Sequence, residues 1–393
     1  MSRASVSRFD EFNEIPSLRQ LRPDVAAFGN QFVRGAISRA DEAFRSFFGR
    51  VRDGDAPGYP RFKSEKRFTS VFYDEPVCWK LQLESARPHL YVQGVGQIPL
   101  SKKATHQLLR LIDRGGEART LTVTRTRSGA WRAAVGLRGV GAEPLADNDQ
   151  AGGVDRGIAV TAALSDGTLL HMPGFLAEAR EEIVALSRRR AREKPFGPEW
   201  RRLNRRIAKA YAKAAHRSEN WARHAAIEIV RRYGVIALEA LELRNMTRSA
   251  KGTREKPGRN VKAKSGLNRS LQDAALGRLA YWTGVKAEEA GRRVYRVDPR
   301  NSSRTCIACG HAEAANRRRS IFCCRHCGHE AHADINAAQV SAARGEAADA
   351  SWQHMGCPLL ERPVSRNRRR AGSARLEPAQ LQGAGSAPHA RVA

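Results

Sequence analysis

Four cysteines in the last third of the chain form two matching pairs. Cys306 and Cys309 make one Cys-x2-Cys-Gly motif, and Cys324 and Cys327 make a second one after a gap of 14 residues. Four thiolates fill the tetrahedral coordination shell of Zn²⁺, and the glycine after each pair lets the chain turn toward the sulfurs. Cys323 competes for one position, but it would change the spacing to Cys-x3-Cys. The pattern therefore predicts a structural zinc site with Cys323 outside it as a packed thiol, rather than a set of free core cysteines.

Three carboxylates adjoin apolar segments that belong in a protein interior. Asp155 lies on a strand with apolar neighbours, Glu239 ends the apolar segment Val235–Leu238, and Asp334 opens a helix just after the second cysteine pair. Taken singly, they have ordinary explanations as a turn residue, a surface charge and a helix cap. Taken together, carboxylates from separate elements can hold two Mg²⁺ ions about 3.5–4 Å apart, an arrangement that hydrolyses phosphodiesters. The set predicts a metal-dependent nuclease site.

The formal net charge of +29 predicts a polyanionic partner, of which nucleic acid is the usual one. The excess is concentrated, because residues 186–232 contain 15 Lys or Arg against 4 Asp or Glu, and residues 244–269 contain 9 against 1. The alternative is a solvated charged face, but such a face normally mixes both signs. We therefore expect these segments to contact nucleic acid. The candidate residues are Arg189, Arg201, Arg202, Arg205, Arg206, Lys209, Lys213, Arg254, Lys262 and Lys264.

Composition narrows the class of protein further. Hydrophobic residues make up 41% and charged residues 28% of the chain, which is too apolar for a fully disordered protein and too polar for a membrane protein. The longest apolar runs are far too short to span a bilayer, and the N-terminus carries no apolar signal segment. Clustered cysteines without a signal segment are typical of a reducing compartment. We expect a cytoplasmic protein associated with the nucleoid.

Changes in the spacing of apolar residues along the chain indicate which helices and strands must position these residues. The pattern is helical at first, alternates as short strands between turn residues after the first turn-rich stretch, and then mixes strands with long helices. The strands of the second segment suit a small barrel or sandwich. The expected segments are 1–55 (helical), 56–139 (β-rich), 140–150 (linker), 151–300 (α/β, with a basic helical insert at 177–232), 301–332 (zinc ribbon), 333–345 (a final α/β segment) and 346–393 (a disordered basic tail).

Several motifs in these segments are similar to those of TnpB proteins, which are encoded by bacterial insertion sequences and are relatives of type V CRISPR effectors. The resemblance covers residues from about 43 to 344. The motifs are Gly58–Lys63 (GYPRFK), Gly153–Ile158 (GVDRGI), Val235–Leu241 (VIALEAL), Ser303–Gly310 (SRTCIACG), Phe322–Gly328 (FCCRHCG) and Ala333–Ala338 (ADINAA).

The resemblance implies a multidomain α+β fold. A helical and β-barrel wedge-type region would be followed by an RNase H-like (RuvC) α/β domain with an inserted zinc ribbon. It also implies an RNA-guided DNA endonuclease with Asp155, Glu239 and Asp334 as its catalytic, magnesium-binding acids, and with Zn²⁺ on the four paired cysteines. Its partners would be a guide RNA from the transposon end and target DNA. Family members open with a strand and a helix that would precede Phe9–Leu21, so the segment 1–55 is expected to be an incomplete recognition segment.

Two other functions fit the same sequence. The protein could bind DNA under RNA guidance without cutting it, as a repressor or a decayed remnant. It could also be an accessory transposase that joins strands, because RNase H-like folds serve strand transfer as well. The presence of all three acids favours the nuclease over the first alternative, and no separate catalytic tyrosine or recognition module stands out in support of the second.

Overall fold

The N-terminal segment is a series of helices whose starts are set by local sequence. The computed structural model describes residues 7–26, 30–56, 58–62, 64, 68–73, 75–93, 95–141 and 144–353. Ser7 caps the first helix, since its hydroxyl accepts a hydrogen bond from the Asp10 amide at 3.3 Å while the Asp10 carboxylate accepts one from the Ser7 amide at 2.7 Å. Pro16 and Pro23 each lie in the first turn of a new helix, where a proline costs no hydrogen bond. The helices are α1 (Arg8–Asn13), α2 (Ile15–Leu21), α3 (Pro23–Ala26) and α4 (Asn30–Arg52).

Two antiparallel sheets of three strands each follow. Their orders are β1-β5-β6 and β2-β3-β4, and they share an apolar core of Tyr73, Trp79, Leu90, Val92 and Leu121. The described strands thus form two sheets over one core rather than one closed barrel. The elements are β1 (Ser70–Tyr73), β2 (Trp79–Gln82), β3 (His89–Val92), β4 (Gly96–Pro99), α5 (Lys102–Asp113), β5 (Glu117–Arg125) and β6 (Trp131–Arg138).

The central feature of the second half is a five-stranded sheet with the order β11-β10-β7-β8-β9. Strands β7, β10 and β11 run parallel, while β8 and β9 continue from β7 as an antiparallel meander. The carboxyl ends of three strands therefore meet at one edge of the sheet. The strands are β7 (Ala151–Asp155), β8 (Ala162–Leu164), β9 (Leu169–Leu170), β10 (Val235–Glu239) and β11 (Arg293–Val297).

The helices of this half cover the sheet and extend beyond it. They are α6 (Phe175–Glu178), α7 (Arg180–Ala191), α8 (Pro198–Arg232), α9 (Leu243–Met246), α10 (Val261–Asp273) and α11 (Leu276–Glu289). The sequence pattern predicts one helix over 270–290, but the chain breaks at Ala275, whose φ is 49°, and forms α10 and α11 instead. The glycines of the basic segment 244–269 predict a mobile connector, but the segment contains most of α9 and the first nine residues of α10.

Helix α8 buries one continuous face. Its N-terminal half packs on α7 through Leu203, Ile207 and Ala210, and its C-terminal half packs on the sheet through residues such as Ile229 and Val230. The sequence pattern predicts Tyr211 in this stripe, but Tyr211 is 49% exposed. With 3.6 residues per turn, the next buried position after Leu203 and Ile207 falls at Ala210, one residue before Tyr211.

A small three-stranded sheet and one long helix end the described part of the chain. They are β12 (Arg317–Arg318), β13 (Ile321–Cys323), β14 (Glu330–His332) and α12 (Ala333–Gln353). The sequence predicts a disordered tail from residue 346, and this boundary is wrong, because α12 continues through an alanine-rich stretch to Gln353; residues 354–393 lie outside the described residues. The compact unit ends at Asp349, and of residues 350–393 the structure describes the last turn of α12. None of the described helices is long and apolar enough to cross a membrane.

Candidate active site and metal centre

Two of the candidate acids lie side by side at the carboxyl edge of the central sheet. Strands β7 and β10 are parallel, with Val154 opposite Leu238, so that Asp155 and Glu239 are the next residues along the two strands. Glu239 is buried, with 6% of its surface exposed, and Asp155 is half-buried. The sequence places both acids correctly at the ends of strands, and the parallel pairing makes them neighbours.

The third acid reaches the same edge because α12 lies directly on both strands. A Cβ atom on Gly153 would lie 1.8 Å from the Ala338 carbonyl oxygen, and one on Gly345 would lie 2.6 Å from the Ala237 Cβ atom. Real Cβ atoms do not approach other atoms so closely, so these glycines permit backbone contact between the helix and the sheet. Asp334 is the second residue of α12 rather than its cap.

Two of the three carboxylates accept a hydrogen bond from another side chain of the protein. The Ser302 hydroxyl donates a hydrogen bond to Glu239 Oε1 at 2.5 Å, and Arg317 Nη2 donates one to Asp334 Oδ1 at 2.7 Å. Asp334 Oδ2 remains available for another ligand. In the part of the chain that the structure describes, the four paired cysteines form the one cluster whose ligand atoms lie close enough together to hold a metal ion, and the three carboxylates do not form such a cluster. The carboxylates therefore form an open acidic edge rather than a closed cage.

Arg156 is a buried cation that joins the elements behind the acids. Its guanidinium is 7% exposed and donates to the Glu239 carbonyl at 2.5 Å and to the Leu276 carbonyl at 3.0 Å. These bonds connect the end of β7 to the end of β10 and the start of α11. The motif Gly153–Ile158 contains Arg156, but nothing in the sequence indicates that this arginine is buried.

Burial and the two neighbouring acids raise the proton affinity of Asp155. Burial raises the pKa of the Asp155 carboxyl to about 7, the negative charges of Glu239 and Asp334 add to the rise, and the positive charge of Arg317 opposes it. Burial also raises the pKa of Glu239, against the hydrogen bond from Ser302 and the positive charge of Arg156. Such a concentration of buried negative charge is stabilised by a proton or a bound cation.

The four paired cysteines converge on a second centre. Their sulfur atoms all lie within 4.8 Å of one another, and the shortest pairs are Cys306–Cys327 at 3.7 Å and Cys309–Cys324 at 3.6 Å. The two loops are built alike, because Gly310 and Gly328 have φ angles of 75° and 74° and donate to the carbonyls of Cys306 and Cys324. Cys323 lies on β13, outside the group. The donor set and its closed geometry fit a tetrahedral metal ion.

Two buried asparagines, which sequence reasoning missed, attach the cysteine loops to their surroundings. Asn336, in the first turns of α12, donates to the Thr305 carbonyl at 2.7 Å and accepts from the Ile307 amide at 3.2 Å. Asn316 donates to the Arg304 carbonyl at 3.0 Å and accepts from the Arg325 amide at 2.9 Å. Asn336 therefore links the first cysteine loop to the helix that carries Asp334.

The ten basic candidates lie on α7, α8, α10 and the segment between α9 and α10. Lys264 differs, since it is half-buried and its ammonium donates to the Met246 carbonyl at 2.5 Å. Arg202 forms a two-bond ion pair with Glu199, at 2.7 Å for each bond. All of them except Lys264 are exposed, namely Arg189, Arg201, Arg202, Arg205, Arg206, Lys209 and Lys213 on α7 and α8, Arg254 in the connector and Lys262 on α10.

Comparisons with known proteins place both centres in described families. The family model "Probable transposase" matches residues 123–250, which contain Asp155 and Glu239. The model "Cas12f1-like, TNB domain" matches residues 277–340, which contain the four cysteines and Asp334.

Individual proteins are similar over most of the chain or over a short part of it. The chain is 28% identical over 338 residues to the Escherichia coli (strain K12) protein named "Putative RNA-guided DNA endonuclease InsQ", covering 85% of this chain and 80% of that protein. It is 51% identical over 55 residues to the CRISPR-associated endodeoxyribonuclease Cas12f1 of Sulfoacidibacillus thermotolerans, covering 14% and 13%. A cryo-EM structure of a Cas12f1–sgRNA–target DNA complex aligns with a TM-score of 0.49 and 13% identity, covering 86% of this chain and 76% of that chain.

The two family models fall on the segments that carry the acid and cysteine motifs, and the Escherichia coli relative extends the match over most of the chain. The resemblance to the TnpB family of transposon-encoded proteins noted in the sequence is thereby confirmed.

Proposed function

We propose that this protein is an RNA-guided DNA endonuclease that hydrolyses phosphodiesters with Mg²⁺ held by Asp155, Glu239 and Asp334. The observation that carries the proposal is the convergence of these carboxylates, from β7, β10 and α12, at one edge of the sheet, where the pKa of Asp155 is raised to about 7. The names of the Escherichia coli and Streptomyces pristinaespiralis relatives, both RNA-guided DNA endonucleases, favour the same activity.

The sheet order supports an RNase H-like (RuvC) assignment for the α/β unit. Strands β7, β8 and β9 form an antiparallel meander, and the parallel strands β10 and β11 extend the sheet on the other side of β7. This order puts acids on the first strand, on its parallel neighbour and on a late helix. We assign residues 151–300 and 333–345 to this nuclease unit, 301–332 to the ribbon and 56–139 to a wedge-type domain, with residues 1–55 as the recognition segment.

The chain's own residues prepare the site for a divalent metal. When bound, two Mg²⁺ ions would activate water and stabilise the leaving oxygen. Ser302 orients one oxygen of Glu239, and Arg156 fixes the backbone from which that side chain projects. Arg317 holds one oxygen of Asp334 and keeps a positive charge beside the acids, where a phosphate group would also be attracted.

We assign Zn²⁺ to the four cysteines Cys306, Cys309, Cys324 and Cys327, in a structural role. Four thiolates leave no open position for a substrate, and the bonds of Asn336 transmit the position of the cysteine loop to α12. The exposed arginines and lysines of α7, α8 and the connector would hold the RNA and the DNA by their phosphates. Association with the nucleoid would follow from DNA binding.

The test is cleavage by purified protein loaded with its transposon-end RNA. We expect cutting of matched DNA in Mg²⁺, none when EDTA replaces Mg²⁺, and none by Asp155→Ala, which should still bind both nucleic acids. Asp53→Ala, which removes an exposed acid outside the site, is the matched control and should cut normally. Persistent cutting by Asp155→Ala would refute the active-site assignment. Binding without cutting by the wild type would support the non-cleaving alternative, and joined strands would support the transposase alternative.

A further inference from the structure

An exposed aromatic pair stands at the tip of the hairpin formed by α7 and α8. Phe196 is 69% exposed, and its ring centroid lies 5.1 Å from that of Trp200, with the planes tilted by 48°. Trp200 is half-buried in the first turn of α8, so Phe196 extends the aromatic surface outward into solvent. Exposing so large an apolar side chain contributes nothing to folding.

The backbone that presents Phe196 is strained. Lys194 to Gly197 form a turn, closed by a hydrogen bond from the Gly197 amide to the Lys194 carbonyl at 3.0 Å, with Pro195 second and Phe196 third. Phe196 has a φ of 65°. The third position of such a turn favours glycine, because a residue with a bulky side chain is strained at a positive φ. Glycine would form the same turn without strain, so folding alone does not explain a phenylalanine at this position.

The surroundings of the pair are strongly basic. Residues 188–202 contain seven Lys or Arg and two Glu, and one of the two, Glu199, is neutralised by Arg202. The Arg190 guanidinium lies over the Trp200 ring, 5.8 Å from its centroid, and donates to the Asn204 side chain at 2.8 Å. Trp200 is therefore held in place, while the remaining cations face solvent. Flat rings among unpaired cations suit a partner with both aromatic bases and phosphates.

The pair lies far from the chemistry. Helix α8 packs on the core of the central sheet from Trp221 onward, and the 21 residues from Trp200 to that point span about 32 Å at 1.5 Å per residue. The strand that is cut must enter at the carboxylates, whereas a guide RNA stays on the protein surface throughout. RNA is commonly recognised at loops, bulges and ends, where unstacked bases pack on aromatic side chains.

We propose that Phe196 and Trp200 form a stacking platform for one unpaired base of the bound RNA. The proposal rests on the proposed function, because that function supplies the RNA. The strained turn holds the ring of Phe196 outward before the RNA binds, and the flanking cations hold the adjacent phosphates. Stacking on an aromatic ring tolerates any base, so the platform anchors the RNA without reading its sequence.

The experiment measures the dissociation constant of the full-length protein for transposon-end RNA, transcribed in vitro, by a filter-binding assay. Phe196→Gly removes the ring and relieves the strain, so we expect RNA binding to weaken about 5- to 150-fold, from 1–3 kcal/mol per stacked base. Its thermal unfolding temperature should stay the same or rise, which separates lost stacking from misfolding. Phe196→Leu keeps the strain and the apolar bulk and should also bind weakly, whereas Phe196→Tyr should bind normally.

The other possible results show whether the stacking proposal or the proposed function has failed. If the wild type binds no RNA, this proposal and the proposed function both fail. If wild type and Phe196→Gly bind RNA equally, this proposal alone fails and the endonuclease assignment stands. If binding is lost only for single-stranded DNA of the same sequence, the platform serves DNA and the RNA assignment is wrong. If the free protein dimerises in sedimentation experiments and Phe196→Gly makes it monomeric, the pair is a protein interface and the proposal is overturned.

Discussion

Replacing Asp155 by asparagine should make the protein more stable at neutral and alkaline pH in the absence of Mg²⁺. The folded-state pKa of Asp155 is about 7, compared with an ordinary value of 3.8. The folded protein therefore binds this proton more tightly than the unfolded chain, and the stability that this group contributes is lost as pH rises from about 4 to 7. At about 1.36 kcal/mol per pH unit, the deprotonated carboxylate lowers the free energy of unfolding by at most about 4 kcal/mol. Asparagine has nearly the same shape and carries no charge.

The assay is thermal unfolding of the wild type and Asp155→Asn between about pH 4.5 and pH 8.5, without added Mg²⁺ and without chelator, so that the cysteine site keeps its metal. A difference of 4 kcal/mol corresponds to about 5 °C for a compact unit that ends at Asp349. We expect the two proteins to differ least at the acidic end and the variant to unfold at a higher temperature at the alkaline end. Added Mg²⁺ should stabilise the wild type and leave the variant unchanged. A variant that is less stable at every pH, or a difference that does not change with pH, would refute the reasoning; Asp53→Asn is the control.

Four further predictions concern the same centres. Gly153→Ala should abolish cleavage and lower the unfolding temperature, because its Cβ would lie 1.8 Å from the Ala338 carbonyl oxygen; circular dichroism with temperature measures this, and normal stability would contradict the packing argument. Arg317→Met should shift the acidic limb of the pH–rate profile to higher pH, because Arg317 lowers the pKa of Asp155; Arg317→Lys should shift it less. At limiting Mg²⁺ the cleavage rate should rise with pH through about 7, and saturating Mg²⁺ should move the midpoint lower, since metal and proton compete for the carboxylates. Cys309→Ser should release the metal from the cysteine centre, as measured by atomic absorption, whereas Cys323→Ser should retain it.

Local sequence predicts well those features that depend on short-range spacing. The cysteine loops are such a case, because two Cys-x2-Cys-Gly segments fold the same way wherever they occur, and the glycines supply the positive φ angles. The ends of β7 and β10 are another, since a carboxylate after an apolar run marks the point where the chain leaves the interior. The parallel pairing that makes Asp155 and Glu239 neighbours is a long-range contact, and the sequence indicates it only through the RNase H-like fold that the family resemblance implies.

Features that depend on long-range packing could not be predicted. Arg156, Ser302 and Arg317 contact the acids only because separate elements converge, and arginine and serine occur on most surfaces as well. The break between α10 and α11 occurs at an alanine, Ala275, and the nearby Gly277 lies inside α11 rather than at the break. Tyr211 was predicted on the buried face of α8 because two neighbouring positions satisfy nearly the same helical period.

The bonds of Asn336 make the two metal centres thermodynamically dependent on each other. Asn336 holds the loop of Cys306 to the first turns of α12, and Asp334 lies two residues before it. An ion that orders the cysteine loop therefore also orders the carboxylate. By reciprocity, occupancy of the carboxylate site must tighten the cysteine site by the same factor. The protein would thus bind its catalytic ion best when its structural ion is already in place, so that an incompletely loaded molecule is also a poorly active one.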